Sequence, residues 1–242
     1  MNRAIVASFG LAIVMVTGSA NASLTLTQGA GPGTLPPGSV NLWNAQGSAN
    51  NGNNKAYIDG AGVARVNGGN PANGWWTNPS TARSWTAAWN NTAGTITFSV
   101  FSTADYTGPA AMTIVSTPVL VPGNTIVGIN FVANMQNNTN SAWAIAFSGI
   151  EFNDGSGFVA VPTANGSYSA AAFTTNRVNN YHNLGGTPGD FTIRGVTQMN
   201  WGTGISTSER LRFEITAIQG IPTPGAAAML GLGGLLAARR RR

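Results

Sequence analysis

The sequence predicts an all-β protein: an antiparallel β-sandwich or jelly-roll-like domain, flanked by an N-terminal signal peptide and a short C-terminal hydrophobic helix. Three observations predict it. Apolar and polar residues alternate in short runs, whereas helical periodicity is hardly visible. Clusters of Gly, Pro, Asn and Asp separate those runs at intervals that suit a sandwich. Charged residues make up only 8% of the 242 positions, about a third of the usual ~25%, so salt-bridged bundles and coiled coils are excluded.

Residues 1–22 have the three parts of a secretory signal peptide. Arg3 provides the positive start, Ala4 to Val16 is apolar but for Ser8 and Gly10, and Ala20-Asn21-Ala22 offers the small residues that signal peptidase accepts. The apolar run is short for a ~30 Å hydrocarbon core, which favours cleavage over anchoring. With no Cys, the exported domain, residues 23–220, must be stable through its core alone.

Within that domain, residues 23–74 are rich in Gly, Asn, Ser and Pro. Leu24 and Leu26 alternate with Thr25 and Thr27, so a first strand is expected there, with loops after it. Strands are then expected at 94–101, 112–115, 125–133, 142–152, 157–161, 168–174, 191–199 and 210–218. The last is the clearest: Leu211, Phe213, Ile215 and Ala217 share one face, and Arg210, Arg212, Glu214 and Thr216 the other. Turns are expected at 105–109, 121–124, 153–157, 165–166 and 185–189, each built from residues that bend the backbone readily.

Behind the last strand, Pro222-Thr223-Pro224 closes the domain, because neither proline can sit inside a helix. Gly225 follows, then 13 apolar residues from Ala226 to Ala238, and finally Arg239, Arg240, Arg241 and Arg242. As a helix the apolar run spans about 20 Å, with arginines able to snorkel to the interface. Arginines after such a span stay on the cytoplasmic side. The tail resembles the PEP-CTERM sorting signal of Gram-negative and related bacteria: Pro-x-Pro, a short Gly/Ala/Leu-rich span and a terminal Arg cluster. Thr223 stands where that family usually has Glu, a variant form. The resemblance covers about residues 221–242. It implies removal of the tail by an exosortase, a membrane transpeptidase-like enzyme, and delivery to the cell surface, outer envelope or exopolysaccharide matrix.

The formal net charge of +5 belongs to the two ends. Residues 23–224 carry seven basic and seven acidic side chains, so the mature domain is neutral and lacks the basic surface that nucleic acid requires.

Residues that could carry chemistry are sparse. Trp75, Trp76, Trp85 and Trp89 fall within 15 residues. Packing in the core is the commoner use of such large side chains, and Trp85 and Trp89 suit it. Trp75 and Trp76 are the candidate carbohydrate-binding pair, because alternation turns one ring outward. Glu151 and Asn153-Asp154-Gly155-Ser156-Gly157 have oxygen ligands suited to Ca²⁺, but a tight turn uses the same residues. His182, the only histidine, is expected in an Asn- and Gly-rich loop and cannot form a His₂ or His₃ metal site. Asp190 or Glu151 with Glu209 or Glu214 would make a glycosidase pair only at the right separation. Neither cofactor, metal nor catalysis is expected. The expectation is an exported structural or adhesive protein of the exopolysaccharide, with a Trp-based lectin-like module as the alternative.

Overall fold

Alternation with turn punctuation builds strands throughout a computed structural model. It describes residues 25–29, 35, 37–49, 55–61, 63–68, 81–107, 110–119, 126–136, 143–169, 177–185, 189–200 and 210–220. Seven strands form one antiparallel sheet: β1 (Thr25–Gln28), β2 (Val40–Ala49), β3 (Lys55–Gly60), β4 (Val63–Asn67), β8 (Ile126–Gln136), β12 (Arg177–Gly185) and β14 (Arg210–Gln219), in the order β1-β12-β8-β14-β2-β3-β4. The second sheet contains β5 (Ala82–Asn90), β6 (Thr95–Phe101), β7 (Ala110–Val115), β9 (Ala144–Asn153), β10 (Val159–Ala160), β11 (Gly166–Ser169) and β13 (Phe191–Asn200). Its order is β10-β9-β13-β5-β6-β7, with β11 also pairing β9. A 3₁₀ turn at Pro162–Ala164 leads into β11. Among the described residues no helix is long and apolar enough to cross a membrane. Residues 1–22 and 221–242, where the signal peptide and hydrophobic helix are expected, lie outside the described residues.

The sheets pack face to face through the inward side chains of their strands. Phe213 of β14 reaches the opposite sheet, with its ring centroid 6.1 Å from Trp85, 6.3 Å from Phe98 and 6.2 Å from Phe147. Trp43 stacks across the gap on Trp89 at 6.4 Å. Each large side chain buried in this way contributes about 1.5–3 kcal/mol, which is how a chain without cysteine holds two sheets together. Gly195 of β13 is opposite Trp85 in the register. A Cβ there would lie 2.7 Å from Trp85 Cζ2, so the glycine makes room for the indole. Trp85 Nε1 then donates to Thr197 Oγ1 at 2.8 Å.

Two sequence expectations need correction. Residues 40–67 hold three strands rather than loops, and β2 pairs directly with the central strand β14. Its sequence, Val-Asn-Leu-Trp-Asn-Ala-Gln-Gly-Ser-Ala, looks loop-like because amides and small residues occupy both phases of the alternation. Pairing on both sides nevertheless satisfies its backbone. His182 does not sit in a loop either: it lies in β12 between β8 and β1. There the Asn residues that suggested a loop belong to the strand, and Asn180 is buried.

Candidate functional site

Register assigns each polar side chain to a face. On the outer face of the first sheet, cross-strand rows bring Ser48, Arg212 and Asn134 together, then Tyr57, Gln46, Glu214 and Val132, then Asp59, Asn44, Thr216 and Asn130. These residues face away from the second sheet, yet Glu214, Gln46, Asn130 and Thr216 are all buried. Glu214 is the hub. Arg177 Nη2 is 2.8 Å from its Oε2 and Arg212 Nε is 3.1 Å from its Oε1, while Asn134 Nδ2 donates to Oε1 at 3.1 Å. Arg212 Nη1 also donates to the Tyr57 hydroxyl at 2.6 Å. Burial pulls the Arg212 guanidinium down, but Glu214, with Tyr57 and Asp59, outweighs it and the net shift is upward. This face is a polar mortar rather than an open surface.

The outer face of the second sheet is open and chemically lighter. Arg194 of β13, Thr86 of β5, Ser99 of β6 and Thr113 of β7 form one row, with Thr192, Ala88, Thr97 and Val115 in the next. The Ser99 and Thr113 hydroxyls are hydrogen-bonded to each other at 2.9 Å. Arg194 Nε donates to Glu151 Oε2 at 2.5 Å, and both side chains are 30% exposed. The guanidinium carbon lies 3.7 Å from the Phe158 ring centroid and 5.0 Å from that of Tyr106. Tyr106 is the one described non-glycine residue with positive φ, at 62°. Its ring meets the edge of Phe101 at 5.9 Å, and its hydroxyl is buried without a hydrogen-bond partner. Burial, opposed by Arg194 and reinforced by Glu151, pushes that hydroxyl's pKa up to about 12.

The other candidates fall in separate places. Trp85 and Trp89 are buried in the core, with Trp43 and Trp143. Only Trp85 has its indole N–H satisfied; those of Trp43, Trp89 and Trp143 are buried without partners. Trp75, Trp76, Glu209, Ala20, Ala22, Pro222 to Gly225 and the arginines 239–242 lie outside the described residues. Asn153-Asp154-Gly155-Ser156-Gly157 is a turn closed on itself: Asn153 Oδ1 accepts from Gly155 N and Gly157 N, and Asp154 Oδ1 accepts from Ser156 N. Asp154 and Asp190 line one shallow depression at the rim of the second sheet, where Asp190 Oδ1 accepts from Asn91 N at 2.8 Å.

His182 is fully buried on the inner side of the first sheet. Its Nε2 is 3.0 Å from Thr163 Oγ1, its Nδ1 is 3.3 Å from the Asn180 carbonyl, and Phe131 packs against it edge-on. Burial lowers its pKa against the two hydrogen bonds that raise it. Glu151 and Glu214 stand on opposite outer faces, with the core between them, so they cannot flank one glycosidic bond.

Sequence reasoning passed over the Arg194 cluster because its members come from three separate stretches of chain, around Tyr106, residues 151–158 and Arg194. The signal that could have found them was alternation in 191–199, which turns Arg194 outward beside hydroxyl residues. No family model matches the chain, and no curated protein matches it.

Proposed function

We propose that this is an exported, non-catalytic surface or matrix protein that associates with polysaccharide, its C-terminal tail acting as a PEP-CTERM-like sorting signal. The observation that carries the reading is where the described chain ends lie. Thr25 pairs with Gly185, Asn183 with Gly128, Gly128 with Ile218 and Ile126 with Gln219. The first residue of β1 and the last of β14 therefore share one rim of the first sheet. Three inter-strand spacings separate them, about 14 Å. A domain whose two ends leave from one rim can be held by both at a membrane without unfolding, as a precursor with two inward-facing termini requires.

The strand order supports a jelly-roll reading. Taken in chain order, β2, β5, β8, β9, β11, β12, β13 and β14 distribute as β2-β14-β8-β12 in one sheet and β5-β13-β9-β11 in the other, a double Greek key. Such a fold keeps broad sheet faces for contact, and the neutral, hydroxyl-bearing outer face of the second sheet suits an uncharged polymer. The wide separation of Glu151, His182 and Glu214 supports the non-catalytic reading.

Mass spectrometry of the mature protein from its own cells tests the sorting. The expected chain begins at Ser23 and ends near Pro224. Surface-located material still ending in Arg242 would sink the exosortase assignment. Deleting residues 222–242 should leave a folded domain in the wrong place.

A further inference from the structure

The geometry points to a binding site for a neutral polysaccharide at the Tyr106–Arg194–Phe158 stack and Glu151; this rests on the polysaccharide reading above and names its site. Arg194 is held on three sides. Phe158 and Tyr106 pack against the guanidinium, and Glu151 takes Nε. Among the described residues no other side chain pairs with it, so the Nη edge is left to donate. Glu151 retains acceptor capacity beside it. Donor and acceptor thus stand next to each other in a pair whose charges cancel.

That arrangement selects its ligand by chemistry. A free anion is repelled by Glu151 and a free cation by Arg194, while adjacent sugar hydroxyls can use both: one donates to the carboxylate and its neighbour accepts from the guanidinium. The C–H face of a pyranose also needs an apolar platform. Phe158, whose ring carries the guanidinium on one side, is still 37% exposed, unusual openness for a large apolar side chain.

Two further features indicate a built site. Tyr106 holds a backbone conformation that side chains with a Cβ disfavour, and such outliers cluster at ligand sites. From Glu151 the row continues through Arg194, Thr86 and Ser99 to Thr113. Four inter-strand steps make it about 19 Å long, room for an extended polymer rather than a single sugar.

Affinity electrophoresis of the full chain in gels containing dextran, galactomannan, hydroxyethyl cellulose or alginate tests the proposal. A neutral polysaccharide should retard the chain and alginate should not. Phe158→Ala and Arg194→Met should each weaken retardation at least tenfold with unchanged thermal melting, while Val115→Thr, on the same face, leaves it intact. Glu151→Gln, which leaves the Arg194 charge uncompensated, should weaken binding to the neutral polymer and admit alginate; continued exclusion of alginate would overturn the charge-cancelling role given to the pair. Absence of retardation by all three neutral polymers would overturn the site, as would retardation insensitive to Phe158→Ala and Arg194→Met. Loss in Trp75→Ala with Trp76→Ala alone would move binding elsewhere. These outcomes are independent of how the ends are processed: a correctly sorted chain that binds no polymer loses the polysaccharide contact but keeps the sorting reading, whereas binding insensitive to Phe158→Ala and Arg194→Met refutes only this site.

Discussion

Glu214 and Glu151 are both strand carboxylates that face away from the core and pair with arginine, but they sit on different sheets. Glu214 is 1% exposed and shared by Arg177 and Arg212; Glu151 is 30% exposed and pairs with Arg194. The same chemical pair therefore serves as a buried fixture on one face and as an accessible group on the other. What differs is water. A carboxylate cut off from solvent depends on its arginines, whereas a hydrated one is stable with or without them.

The largest test of that contrast is Glu214→Ala, which strands two guanidiniums over a buried face. It should cost about 3–5 kcal/mol, read as a lower urea midpoint. If Glu214→Ala melts like the parent, the buried hub is not structural.

Acid provides the next test. Burial depresses the pKa of His182 below its usual 6.5, so the unfolded chain takes up the proton first. The stability from keeping His182 neutral is complete above 6.5 and is lost as pH falls from there towards the folded pKa. Thermal melting should drop across that interval, and His182→Gln should flatten the drop. An equal drop in the variant would mean that other groups dominate.

On the open face the effects shrink. Glu151→Ala should cost no more than about 1 kcal/mol, and added salt should reduce the loss further. Ser99→Ala removes one hydroxyl from an exposed pair and should stay within about 0.5 kcal/mol. A large loss at either position would show that this face is as structural as the other.

Legibility followed the same division. Alternation exposed β14, β13, β9 and β8, because large apolar residues recur two apart along them: Leu211, Phe213 and Ile215; Phe191 and Ile193; Ile145 and Phe147; Ile129 and Phe131. It failed on β2 and β12, where Asn44, Gln46, Asn180 and His182 are buried polar residues that read as loop. Those strands are recognisable only through their pairing partners, which satisfy the backbone groups that a loop would leave to water. The Trp85 and Trp89 packing was legible, since bulk indole surface favours the interior. The Arg194 stack was not: residues 106, 151, 158 and 194 converge only once β9 and β13 pair and the 102–107 turn folds back onto them.

The sequence by itself determined an all-β chain and a neutral body between basic ends, because period, charge and turn chemistry are local properties. Tertiary structure alone decided which outward face is buried, which carboxylate is a fixture, and that the described chain ends share a rim. Those depend on strand order and register, which are set by long-range pairing, and a linear pattern carries no record of which distant strand lies beside which.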